Sequence, residues 1–332
     1  MHPFCRWSIL LVAVLLTSSA AAEVQLSTRC VVTFATRDEG IAAITADDPF
    51  TRNLSRFDLQ ARMRTDRAVT LDDWKKFVAG EVRDWQPDDK QRLAEVIASL
   101  RERLAKISVP LPEKIQLITT SGKEESGAAY CRGAAIVLPA NVLRREKKQL
   151  ESLLLHELFH VVSSQNPQLR KALYAVVGFE ECEEIKIHSS LAERRITNPD
   201  APAINCVMAI KQGERELHAA PVLYASTQFD PKKEGGLFSY LVFRLMVVKH
   251  DGKSWQAVTQ QEQDSDANSE GRAVVLDPKN LKQFHDQVGR NTSYIVHPEE
   301  ILADNFVFLV LGKTDLPTPR IVEELRKVLG ER

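Results

Sequence analysis

From Ile41 to about Ile107 the chain is polar, rich in charge and periodic. Thr70, followed by Asp72 and Asp73, opens a helical pattern over 70–85, because a threonine hydroxyl can accept from the unpaired N–H groups of a first turn. In 87–107, Leu93, Val96, Ile97, Leu100 and Leu104 recur at helical spacing and give one apolar face. Pro110 and Pro112 punctuate this region, and the pattern then changes to strand-like runs at 115–122 and 128–143. A long helical pattern follows from Asn141 to Ser164 and closes at Gln165, Asn166 and Pro167. Residues 170–250 mix short apolar runs with turn signals at 197–202 and 232–236, which read as loops and strands with a helix expected over 237–249. The polar stretch 260–271 reads as a solvated loop, since its acidic residues do not follow the order of a helix-loop-helix calcium site. Helical patterning returns at 297–312, and a short amphipathic tail occupies 320–330. No internal repeat is visible.

The first residues place His2 and Arg6 ahead of an apolar run from Ile9 to Leu16, then small residues ending at Ala22. That is the layout of a secretory signal peptide covering 1–22, with the run too short for the roughly 20 residues that span a bilayer. No later stretch is long and apolar enough to cross a membrane; the best, 237–248, is interrupted by Arg244. The chain is therefore expected to be exported, to the periplasm or beyond. In that setting Cys30, Cys131, Cys182 and Cys206 admit one or two disulfides, or equally four buried thiols. Lys and Arg number 44 against 45 Asp and Glu, so the net charge of -1 argues against a nucleic-acid partner. The expected organisation is α+β, with a helical N-terminal region over 23–110 and a second domain over 111–332.

Within the long helical pattern lies Leu-Leu-Leu-His-Glu-Leu-Phe-His-Val-Val, residues 153–162. His156 and His160 stand four apart, so on a helix both imidazoles reach one tetrahedral ion, and Glu157 can touch a water on that ion without binding it. This is the HExxH arrangement, in which the glutamate is general base and the metal, Zn2+, acidifies the water. The plainer reading is two core histidines on an apolar helix, but chance HExxH motifs are rare in a chain with 8 His.

A catalytic zinc site needs a third protein ligand. Glu300 is preferred, because Asp304 lies four residues further on the same helical pattern and can accept the free ring N–H of a ligand histidine. Glu180 is the rival, with Glu184 four beyond it; yet Gly178 interrupts the helical pattern there, and 181–187 alternates like an exposed strand. Glu299 is a third choice, weakened by Ala303 four beyond it. Arg194 and Arg195 read as a solvated basic pair.

Together, HELFH and Glu300-Ile-Leu-Ala-Asp304 resemble the gluzincin metallopeptidases, whose ligands are two histidines and a glutamate. The resemblance covers the site helices and not the N-terminal region. It implies a zincin-like catalytic domain, a peptide or protein substrate, and an antiparallel edge strand beside the active-site helix, a place that 133–140 occupies in order. It also implies that Tyr294, upstream of the glutamate, donates to the oxyanion of the tetrahedral intermediate. His297 is an alternative donor, or the cap of the helix that starts with Pro298. Two further classes stay open: a zincin-fold scaffold that no longer cleaves, and a zinc hydrolase of a non-peptide amide.

Overall fold

The computed structural model describes residues 23–212, 215–260 and 271–330. The expected signal peptide and most of the expected solvated loop at 260–271 lie outside the described residues. Helices take up 43% of the described residues and strands 21%, and two separate sheets make the architecture α+β.

The first sheet has the order β1-β2-β3-β5-β4, with β1 (Glu23–Gln25), β2 (Val31–Phe34), β3 (Lys114–Thr120), β4 (Tyr130–Arg132) and β5 (Ala135–Pro139). β2, β3 and β5 run parallel, and the short outer strands β1 and β4 are antiparallel to their neighbours. Parallel strands buried on both faces read as continuous apolar runs, and β5 is buried at every position.

The helices between β2 and β3 carry strong start signals. α1 (Arg37–Ile44), α2 (Pro49–Asn53), α3 (Arg56–Met63) and α4 (Leu71–Glu81) each begin with a reciprocal capping box, from Thr36, Asp48, Ser55 and Thr70. α5 (Pro87–Leu104) instead opens on proline, whose missing N–H costs nothing at that position. It buries Leu93, Val96, Ile97, Leu100 and Leu104 in the main core, the face that the periodicity gives. The region 23–110 nevertheless shares a sheet with the region 111–332, because β2 pairs directly with β3 and β1 extends the same sheet.

α6 (Lys147–Gln165) follows β5, and α7 (Pro167–Val176) follows α6 after the turn at Asn166. Just beyond α7, Gly178 has a φ of 80°, a left-handed conformation in which any side chain would be strained. The second sheet is an antiparallel meander: β6 (Glu180–Glu181), β7 (Cys206–Gln212), β8 (Arg215–Ala225), β9 (Leu241–His250) and β10 (Trp255–Ala257), with β11 (Val275–Leu276) also on β9. A four-residue helix, α8 (Ser189–Ala192), lies between β6 and β7. The helix expected over 237–249 is thus a strand after one 3-10 turn. Short apolar runs are ambiguous between the two, and the β-branched Val242, Val247 and Val248 lie on a strand that pairs on both sides.

The C-terminal helices are α9 (Lys282–Val288), α10 (Pro298–Val310) and α11 (Pro319–Leu329). α10 is buried along most of its length and packs antiparallel to α6, with Leu158, Phe159, Leu302 and Phe306 in the main core. Each such fully buried side chain contributes about 1.5–3 kcal/mol, which is what fixes the register between the two helices. No described helix is long and apolar enough to cross a membrane.

Candidate metal centre and cleft

α6 and α10 bring together residues that lie far apart in sequence. His156 Nε2 lies 3.1 Å from Glu300 Oε2, and His160 Nε2 lies 3.6 Å from the same oxygen. The donor atoms of His156, His160 and Glu300 all fall within 4.8 Å of one another. Donors bound about 2.0–2.1 Å from a tetrahedral ion stand roughly 3.4 Å apart, so the two separations to Glu300 bracket the value that a bound zinc ion requires. The donor set of two imidazoles and a carboxylate fits that ion chemically as well.

Each histidine is aimed by a carboxylate on its other ring nitrogen. His156 Nδ1 donates to Asp304 Oδ1 at 3.0 Å, and Asp304 also accepts from the Thr292 hydroxyl. His160 Nδ1 donates to Glu299 Oε1 at 3.3 Å. Glu299 in turn accepts from Ser163 Oγ at 2.9 Å and Tyr174 OH at 2.7 Å. Such partners fix the tautomer and ring orientation of a metal ligand. Glu299 is therefore the acceptor for His160 and points away from the donor triad.

Burial disfavours charge on both imidazoles, and their carboxylate partners outweigh it. His156 is held well above its usual range by the hydrogen bonds to Asp304 and Glu300. His160 rises to about 9 through Asp200, Glu300 and the bond to Glu299. Burial also opposes the ionised Glu300, yet the two histidines hold it down to about 2. Glu157 is raised, first by burial and against the pull of His160 and His156. A general base works best with a pKa brought toward neutrality.

Glu157 is 3% exposed, and Cys131 Sγ sits 3.4 Å from its Oε2. A loop from β6 toward β7 adds two polar residues that the sequence does not announce. Asn198 Nδ2 donates to Glu300 Oε1 at 2.5 Å, and Asp200 Oδ1 accepts from the Cys131 amide at 2.7 Å. The loop is tied to the N-terminal helices by a buried ion network. Arg62 pairs with Asp58 and Glu125, Arg62 Nη2 donates to the Thr197 carbonyl at 2.8 Å, and Asp58 Oδ1 accepts from the Thr197 amide at 3.1 Å. Arg195, expected in a solvated pair, is 8% exposed and donates to Asn53 Oδ1 at 2.7 Å, so it belongs to this fastening.

His156, Glu157, Asp200, Tyr294, Glu300 and Asp304 line a cleft of about 690 Å³. Tyr294 is 42% exposed and stacks on His156 with ring centroids 6.4 Å apart. His297 is not part of that lining: it is 7% exposed, and its Nδ1 accepts from the Glu299 amide at 3.2 Å, so it caps α10. Burial lowers it to about 4, leaving a neutral ring. Glu180 is exposed on β6, away from the donor triad, and Glu184 accepts from Asn53. The strand expected at the substrate edge, 133–140, is internal as β5. The sheet ends at β4, reached through Ala128 and Ala129 on the cleft wall. All four cysteines among the described residues are free thiols.

No family model, no curated protein and no solved structure matches this chain.

Proposed function

We propose that this chain is an exported zinc-dependent metallopeptidase with a zincin-like catalytic fold. The observation that carries the reading is the convergence of His156 Nε2, His160 Nε2 and Glu300 Oε2 on one point beside Glu157 in an open cleft. The signal-like residues 1–22 support export.

His156, His160 and Glu300 would hold the ion, with Asp304 and Glu299 keeping the two rings aimed. Zinc bound there supplies a Lewis acid that polarises a carbonyl and lowers the pKa of a water. Glu157 accepts the proton of the attacking water and returns it to the leaving amine. Tyr294, whose hydroxyl makes no hydrogen bond among the described residues, stands on the cleft wall where it can donate to the developing oxyanion. The substrate strand adds beside Ala128 and Ala129, where the edge of the first sheet meets the cleft.

A mixed peptide library incubated with wild type and with Glu157→Gln tests the reading. Cleavage by wild type, reduced at least ~1000-fold in the variant while bound zinc is retained, is the expected result. Equal cleavage by both proteins, or none by wild type, contradicts it.

A further inference from the structure

The antiparallel packing of α6 and α10 orders the cleft into layers. The contact of His156 with Asp304 and of His160 with Glu300 means that residues earlier in α6 and later in α10 extend in one direction from the donor triad. The next layer in that direction holds Ser152 and Leu153 with Val307 and Phe308; the one after holds Arg145, Lys148 and Gln149. The cleft is therefore acidic at one end, through Glu157, Asp200, Glu300 and Asp304, apolar in the middle and basic at the far end.

Arg145 and Lys148 are exposed, and neither has an ion-pair partner among the described residues, whereas the adjacent Arg144 is paired with Asp89. Two further cations stand close by. Arg92 donates to the Arg145 carbonyl, and Lys313 Nζ lies 4.6 Å from the Phe308 ring centroid. Free surface cations are ordinarily a solvated face, but Arg145 and Lys148 line the same cleft as the donor triad and have opposite charge to its other end.

We infer that the cleft selects peptides with a large apolar side chain next to the scissile bond and a carboxylate about three residues further along the same side. Lys148 stands two helical turns before His156, about 12 Å along the helix axis, and an extended peptide covers that in roughly three to four residues at ~3.3 Å each. The apolar layer, about one helical turn from His156, meets the first or second side chain. The carboxylate is that of an Asp or Glu side chain or of the peptide's own C-terminus. This inference rests on the peptidase reading above and adds the substrate class to it.

The test is a set of peptides with Asp, Asn or Lys walked through positions two to five on each side of a fixed cleavage site, each made with a free and an amidated C-terminus. Wild type and the Arg145→Glu/Lys148→Glu double variant are compared by kcat/KM. Wild type should prefer Asp over Asn by roughly 3- to 10-fold, the worth of one or two exposed ion pairs, at one position and on one side only, and high salt should shrink the preference. The double variant should invert it in favour of Lys. A preference that requires the free C-terminus identifies the carboxylate as the chain end. Cleavage at equal rates for Asp and Asn, or a preference that charge reversal does not move, overturns the inference and leaves the peptidase reading standing. Failure of wild type to cleave any peptide removes both.

Discussion

Glu299 and Glu300 are neighbours in sequence that serve different histidines. Glu300 Oε2 lies 3.1 Å from His156 Nε2, on the cleft side, while Glu299 Oε1 lies 3.3 Å from His160 Nδ1, on the core side. Both are 2% exposed, and a buried carboxylate persists only when it is paired and hydrogen-bonded. The first turn of α10 thus supplies one carboxylate that could hold an ion and one acceptor to the ring behind it.

Glu299→Gln and Asp304→Asn should each leave the donor triad in place yet weaken its hold on metal. The expected loss is about 10- to 100-fold in zinc affinity, read by competition against a chromogenic chelator. Unchanged affinity in both variants would mean that the rings are oriented by packing alone.

Arg62→Met should be strongly destabilising. Arg62, Asp58 and Glu125 are 1%, 0% and 5% exposed at their side chains, so removing the cation strands two carboxylates in the core, at a cost of about 3–5 kcal/mol. Urea unfolding measures it. Because Thr197 is held by the same network and precedes Asn198, Arg62→Met should also weaken zinc binding, whereas a variant of similar cost in the second sheet, such as Met246→Ala, should not.

Four thiols should titrate in denatured, unreduced protein from which residues 1–22, and Cys5 with them, have been removed. In the native fold Cys30, Cys131 and Cys206 are buried and only Cys182 is partly exposed, so alkylation before denaturation should label no more than one. Cys182 and Cys206 belong to different hydrophobic clusters. A mass deficit of two hydrogens per chain would show that a bridge forms instead.

Chelator-treated protein should be more stable at pH 6 than at pH 9.5. His160 is raised to about 9 in the fold from about 6.5 when unfolded. Its protonation therefore stabilises fully below pH 6.5, and the contribution is lost as pH rises through 9. Glu300 has the opposite sense: it is lowered to about 2, so its contribution is present above about pH 4.5 and lost as pH falls through 2. The urea midpoint across this range checks both limbs. A midpoint that rises between pH 6.5 and 9 would contradict the ion pairs drawn for His160.

His156, Glu157, His160, Glu300 and Asp304 are legible in the sequence because helical spacing is a local rule: four residues along a helix always share a face. The capped helix α4 and the apolar face of α5 are legible for the same reason. Asn198 and Asp200 are not, since they reach the site from a loop whose placement depends on Arg62, more than a hundred residues earlier. Strands suffer likewise. β2 joins β3 across the whole helical segment, and β9 carries an apolar run that pairing alone assigns to a sheet. Glu299 shows the limit most plainly: the sequence offers two adjacent carboxylates, and only the packing of α10 against α6 and α7 decides which of them faces the triad.

The most direct measurement is zinc content per folded chain in wild type, His156→Ala, Glu300→Ala, Glu157→Gln and Glu180→Ala. The donor triad predicts close to one zinc in wild type, Glu157→Gln and Glu180→Ala, and far less in His156→Ala and Glu300→Ala. Loss of metal in Glu180→Ala with retention in Glu300→Ala, or a wild type that binds no zinc when it is supplied, would contradict the site.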